Sequence, residues 1–491
     1  MSRKHPPAHA WPLVLAVLAG CPSDPDPPPA LDPNERLLDP ATCEECHPTH
    51  YREWLGSMHA YAAEDPVFRA MNARGQRETN GELGDFCVRC HAPMAVELGL
   101  TTDGLNLDEV PQHLRGVTCF FCHTTESVGG AHNNPLQLSG QRTMLGAIHD
   151  PVDNDAHASA YSPLLDSATM ESADMCGSCH DVVTPNGVHL ERTFVEWQGS
   201  FFSDVDPLSG GPAIYGQRCG TCHMGRAIEG PIADAPGVRA DRLYHPHAMQ
   251  AVDVALHDWP DAELGPELRA EQLELIEFQR KSALCASICV NPRDDGGSDL
   301  DIYLHNEFSA HSWPSGSAQD RRAWLELRAF AGDTPALELG MLDDVQPLST
   351  IADDPLLWQF RDWMRDAAGQ EVHMFWDAEQ LESNLLPASE ILSPLGDAST
   401  WRARRYEVPG TAVDRVTTRL RLRPMGLDTL DDLVASGDLD PAFRDQITTF
   451  DVTPTVLEWT PDTATEFEGY GQCVSSSSSC GAPLIGAAPP S

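Results

Sequence analysis

Between positions 48 and 63 (PTHYREWLGSMHAYAA), Tyr51, Trp54, Leu55 and Met58 recur at helical spacing and predict a helix with one apolar face. A second helical pattern covers 260–284, where Leu268, Leu273, Leu275 and Ile276 alternate with charge, and it reads as a divider between domains. Beyond the divider the period changes. Stretches 299–305, 322–330, 371–377, 402–408, 412–423 and 451–459 are rich in β-branched, aromatic and alternating residues and predict strands. Within them Val416-Thr-Thr-Arg-Leu-Arg-Leu has the alternation of a half-buried strand. Short helices are predicted at 355–367 and 427–435, and a β-sandwich with insertions is the economical architecture for this half. Trp324, Trp358, Trp363 and Trp376 read as its core.

The two ends carry different patterns. Residues 1–20 join a basic start (Arg3, Lys4) to an apolar segment from Trp11 to Ala19, the pattern of a secretory signal peptide. The Leu18-Ala-Gly-Cys21 ending resembles a bacterial lipobox, which makes Cys21 the expected lipidation site and the membrane the expected anchor, reached through acyl chains. Residues 21–41, rich in Pro and Asp, read as an extended tether. The tail, 473–491, is low in complexity. No apolar run reaches the roughly 18 residues of a membrane-spanning helix.

Charge narrows the field of partners. The 491 residues hold 32 Lys+Arg against 74 Asp+Glu, a formal net charge of −42. That argues against a nucleic-acid binder, which needs a basic face, and favours a cationic protein partner.

Ten of the 15 cysteines lie in five copies of one pentapeptide. These are Cys43-Glu-Glu-Cys46-His47, Cys87-Val-Arg-Cys90-His91, Cys119-Phe-Phe-Cys122-His123, Cys176-Gly-Ser-Cys179-His180 and Cys219-Gly-Thr-Cys222-His223. Cys-x-x-Cys-His is the attachment pattern of c-type haem: two thiols bond the porphyrin and the adjacent imidazole becomes the proximal ligand to iron. Zinc knuckles, redox dithiols and disulfide frameworks do not require a histidine after every second cysteine. Five covalently attached haems c are therefore expected, packed closely enough for electrons to hop, with His47, His91, His123, His180 and His223 proximal. The four remaining cysteines beyond Cys21 form two close pairs, Cys285 with Cys289 and Cys473 with Cys480; both suit disulfides, and cross-pairing between them is open.

Outside the leader and the attachment sites 13 histidines compete for at most five distal positions. His59 follows the first helix and His132 sits in a glycine-rich loop after the third site. Of His149 and His157 one is a fair candidate, and of the alternating His245 and His247 one is expected to ligate. His189 is open between ligand and turn residue. His50 is too near His47 to reach the far side of the same iron. Met94 and Met224 read as packing residues rather than ligands.

The segments WLGSMHA after the first site, GVTCFFCH at the third, CGSCH with EWQGS (196–200) at the fourth and CGTCHM at the fifth resemble the cytochrome c-554 type of multihaem cytochrome, a group related to the hydroxylamine-oxidoreductase-like cytochromes. The resemblance covers about residues 40–260. It implies a loop-rich, mainly helical haem domain with stacked haem pairs and largely bis-histidine ligation, with His59 and His132 as the best-matched distal ligands and His157 and His247 as looser ones. The count departs from the pattern: five sites, where the namesake carries four. A weaker resemblance, NEFSAHSWPSGSAQDRRAWLEL (306–327), is to a segment of a β-rich domain found beside the haems in some multihaem cytochromes. It makes His311 a candidate cap on an iron, against the alternative of a loop histidine bonded to backbone.

The expected fold class is α+β multidomain: signal peptide 1–20, tether 21–41, pentahaem domain 42–260, helical connector 261–290, β-rich sandwich-like domain 291–472 and tail 473–491. The expected function is electron transfer by a periplasmic or cell-surface lipoprotein along five haems. The alternative is an oxidoreductase acting on a small nitrogen or sulfur compound at one haem without a distal ligand. No P-loop, nucleophile elbow or HExxH motif marks the second half as a separate enzyme.

Overall fold

The structure, a computed structural model, describes residues 33–152, 154–203, 216–281, 284–306, 309–388 and 401–476. The leader, Cys21, most of the tether and Cys480 lie outside the described residues.

The first half is a string of short helices and two-stranded ribbons, an arrangement too thin to enclose a large core of its own. Helix α1 (Pro48–Leu55) buries Trp54 and Leu55, then breaks at Gly56 where it packs on Leu268. Ser57 is buried and its hydroxyl donates to the carbonyl of Trp54, turning the chain into a further turn of helix that carries His59. One continuous helix over 48–63 was expected; Gly56 and the buried Ser57 divide it. Helix α2 (Pro66–Glu78) opens with Asp65, whose carboxylate accepts from the Val67 N–H, and with Pro66 at the first helical position, where the missing N–H costs nothing. The third attachment repeat forms α3 (Cys119–Thr124), capped by the Thr118 hydroxyl accepting from the Phe121 N–H. The long helix α4 (Gly265–Arg280) lies within the helical pattern expected over 260–284.

The second half is a sandwich of two antiparallel sheets. In one sheet β1 (Leu284–Pro292) is flanked by β2 (Ser298–Asn306) and by a strand near the C-terminus, Gly471–Ser475, with Trp401–Val408 beyond β2. In the other, β3 (Arg322–Ala331) pairs with Thr334–Leu339 and with β4 (Arg415–Arg423). Alternate residues of both sheets face each other: Leu284, Ala286, Ile288 and Val290 from β1, Leu300, Ile302 and Leu304 from β2, Ala323, Leu325 and Leu327 from β3, and Val416, Leu420 and Leu422 from β4. Period-two side-chain alternation, inward and outward, builds this core. Helix α5 (Leu427–Ala435) follows β4 as expected and packs on α2 through a cluster that includes Val67, Ala70, Trp376, Leu430 and Leu433.

Three expectations need correction. The helix expected over 355–367 is two short strands, Gln359–Phe360 and Asp362–Arg365, because the buried positions Trp358, Phe360, Asp362 and Met364 repeat every second residue. The strand expected over 371–377 shortens to Glu371–Val372 before a 3-10 turn. The boundaries also shift. The sandwich begins with β1 inside the expected connector, and it ends with Gly471–Ser475, which reaches into the expected tail because this strand pairs with β1. In that pairing Cys473 sits opposite Cys289, and the two form a disulfide across the sheet. Of the alternatives left open by spacing, cross-pairing is the one realised here. No helix of the described residues is long and apolar enough to cross a membrane.

The two halves are tightly joined. Arg192 of the first half pairs with buried Asp362 at 2.8 Å, and Arg321 with Asp253 at 3.1 Å. The loop 312–316 lies on residues 193–196: Thr193 and Ser315 share a hydroxyl contact of 2.8 Å, and the Ser312 N–H donates to Glu196 at 3.1 Å.

Candidate haem centres

All ten cysteines of the five pentapeptides are free of disulfides. Each pentapeptide forms or overlaps a short helical turn. Thiols of different repeats touch. Cys43 hydrogen-bonds Cys119, Cys90 bonds Cys179, and Cys176 bonds Cys219. Cys122 is also near enough to Cys176 to feel its charge. The fourth repeat thus adjoins the second, third and fifth, while the first adjoins the third.

The proximal imidazoles share one device. The Nδ1 of His47 lies 2.7 Å from the Ile232 carbonyl, that of His91 2.9 Å from Ala62, that of His123 2.6 Å from Leu145 and that of His223 2.8 Å from Gln250. An Nδ1–H donated to a backbone carbonyl leaves Nε2 as the lone-pair nitrogen, the tautomer a metal ligand needs. Burial lowers the pKa of these four rings, so the neutral form prevails at neutral pH. His180 differs: its Nδ1 faces the carboxylate of Glu191 at 3.5 Å. There, solvent loss is outweighed by Glu191, with Cys176 and Cys90 adding to it, and the ring is carried up to about 9.

Four of the five proximal rings face a second imidazole across a similar gap. The centroid separations are 6.4 Å for His47 and His157, 6.2 Å for His123 and His247, 6.2 Å for His223 and His311, and 6.2 Å for His180 and His59. Two metal–imidazole bonds of about 2 Å each, with the half-width of each ring added, span roughly this distance. Free thiol pairs, oriented imidazoles and gaps of this width fit haem at these positions. Burial also pushes His59 and His247 down to about 3 and His311 to about 4, keeping them in the ligating form.

The other candidates sort by contact. His245 engages both ring nitrogens, with the Gly225 carbonyl and the Ser167 hydroxyl, so of the alternating pair His247 is the one that faces a proximal ring. His189 pairs with Asp181 and His149 stacks on Tyr161. His50 lies beside His47 and His247 without facing either across such a gap. His132 is exposed and faces no proximal ring among the described residues; its loop lies against the second and fourth repeats through Asn134, which bonds the carbonyls of Arg89 and Ser178. At His91 the neighbouring ring is Phe68, stacked at 4.0 Å and 8°. Met94 is buried in an apolar cluster, in keeping with a packing role.

Sequence reasoning missed Glu191, Phe68 and the carbonyls that orient the proximal rings. No motif marks a backbone acceptor, and Glu191 became a partner of His180 only through the ribbon in which it pairs with Val182.

Residues 42–124 match the family described as cytochrome c554 and c-prime. No curated protein matches the chain. The fold is similar to that of a penta-heme cytochrome c552 from Thermochromatium tepidum, with a TM-score of 0.58 and 20% identity over 87% of this chain and 99% of the other. The likeness spans both the attachment half and the sandwich. With the repeated attachment motif and its oriented imidazoles, these matches make residues 42–124 similar to the cytochrome c554 family and the fold similar to that of a penta-heme c-type cytochrome.

Proposed function

We propose that this cytochrome is an extracytoplasmic lipoprotein, anchored through Cys21, that carries electrons along five covalently attached haems toward a cationic redox partner. When bound, haem supplies a one-electron iron couple at each site. The observation that carries the reading is the set of four facing imidazole pairs at 6.2–6.4 Å, since six-coordinate iron is suited to passing electrons rather than to binding substrate. Thiol contacts between repeats support a continuous path: the first repeat leads to the third, the third to the fourth, and the fourth branches to the second and fifth. Tethering by acyl chains would hold this path near a membrane donor, and the net charge of −42 would steer a basic partner, with rates falling as salt rises.

One observation favours a second reading at one site. Among the described residues no imidazole faces His91 across such a gap, and Phe68 covers the face of its ring. An iron held there by His91 alone would have an open position for a small nitrogen or sulfur compound. Electron paramagnetic resonance of the ferric protein, with carbon monoxide added to the reduced form, separates the two. A wholly low-spin protein that ignores carbon monoxide supports the pure carrier. One high-spin, carbon monoxide-binding haem in five supports the open site.

A further inference from the structure

The fourth repeat stands apart from the other four in its proximal hydrogen-bond acceptor. His47, His91, His123 and His223 each meet a neutral backbone carbonyl at 2.6–2.9 Å, whereas His180 meets the Glu191 carboxylate at 3.5 Å. That carboxylate is held in place. Its strand, His189–Glu191, pairs antiparallel with Val182–Val183 only two residues beyond His180, so the turn returns Glu191 to the ring it must meet. The side chain is mostly buried, and Gly316 from the sandwich half lies over it, since a Cβ there would come within 3.9 Å of Oε1. Among the described residues its one ion-pair partner is His180; the nearby Arg321 is engaged by Asp253 instead.

An anionic acceptor on Nδ1 pushes electron density onto the imidazole, which makes it a stronger donor to iron and favours the ferric over the ferrous state. On the opposite side, His59 meets the thioether of Met249, a weak acceptor, so the asymmetry lies on the proximal face. The fourth repeat is also the junction, in thiol contact with the second and fifth and beside the third.

We propose that Glu191 is a positioning residue that, through His180, makes the haem at the branch point the hardest of the five to reduce, so that electrons pass through the junction without resting there. This rests on haem occupying the fourth pentapeptide. The sandwich half contributes by closing Gly316 over the carboxylate, which links the junction's potential to the docking of the two halves.

The test is spectroelectrochemical titration of the full-length holoprotein as wild type, Glu191→Gln and Glu191→Asp, with covalent haem counted in each by intact mass. In Glu191→Gln one haem of five is expected to become at least tenfold easier to reduce, with smaller changes at the sites of His91 and His311, whose rings the same carboxylate also reaches. The low-spin resonance of that same haem is expected to shift. Glu191→Asp, which keeps the charge at shorter reach, is expected to change that haem by less than the amide does. Five loaded haems with unchanged potentials in Glu191→Gln would overturn the role of Glu191 and leave the carrier reading intact. If Glu191→Gln fails to load, Glu191→Ala decides on the same titration: a haem at the fourth site no easier to reduce than in wild type overturns the proposal, and one at least tenfold easier to reduce supports it. Wild-type protein lacking haem at Cys176 and Cys179 would instead overturn the five-haem reading itself.

Discussion

The imidazole of His311, carried by the sandwich half, lies 6.2 Å from that of His223 in the attachment half, with the two rings 23° from parallel. The ring that faces His223 is therefore delivered only when the two halves dock. The docking is secured by Ser312 on Glu196 and by Ser315 on Thr193, one and four residues from the ring that must be delivered. His311→Ala is predicted to convert one haem in five from low to high spin and make it bind carbon monoxide, without lowering the haem count. A spectrum identical to wild type would show that His311 is a loop histidine bonded to the Ser312 carbonyl and nothing more.

The backbone behind His59 leaves no room for a side chain. A Cβ on Gly116 would come within 2.5 Å of the Ala60 carbonyl and 2.7 Å of the His59 carbonyl, and the next residue, Val117, donates its N–H to His59. Gly116→Ala must push the His59 segment away from His180. The expected outcome is loss of low-spin character at one haem together with destabilisation of about 1–3 kcal/mol, the usual cost of overpacking. Denaturant unfolding with parallel spin-state measurement checks both.

The disulfide Cys289–Cys473 joins positions 184 residues apart. Its removal in Cys473→Ser frees a long loop in the unfolded chain and is predicted to cost about 2–5 kcal/mol. Because the bridge lies in the sandwich, the attachment half should still load its haems, so haem content should hold while the unfolding midpoint falls.

Acid should weaken the fold in a defined window. His59, His247 and His311 have folded pKa values of about 3, 3 and 4, depressed by burial, whereas the unfolded chain titrates near 6.5. Below that value the unfolded state binds protons that the folded state refuses, so stability is full above about pH 6.5 and falls as pH drops toward 4. Each such group contributes a slope of about 1.4 kcal/mol per pH unit. The low-spin spectrum is predicted to stay constant from pH 8 to 5 while the denaturation midpoint declines below pH 6.5. A midpoint flat across that range would contradict the burial of these rings.

What could be read from sequence follows from how local the chemistry is. Covalent attachment needs two thiols and a histidine within five residues, so all five pentapeptides stood out without any knowledge of the fold. The imidazoles that face the proximal rings come from distant segments: His59 to His180, His157 back to His47, His311 from another half of the molecule. Their partners depend on loop geometry that no local pattern encodes, which is why His132, in a plausible loop, faces no proximal ring. The sandwich was legible from alternation in β3 and β4 but blurred where strands were short. Over 358–364 two tryptophans and a phenylalanine gave an apolar density that reads equally as helix. Glu191 was invisible because its role comes from a two-residue ribbon.

The most direct test of the account is the covalent haem content of the purified, exported chain, by intact mass and by haem absorbance per polypeptide. The account predicts a mass above that of the processed polypeptide by five haems, with each of the ten pentapeptide cysteines blocked to thiol reagents. A colourless chain with ten reactive thiols, or one carrying fewer than five haems, would contradict it.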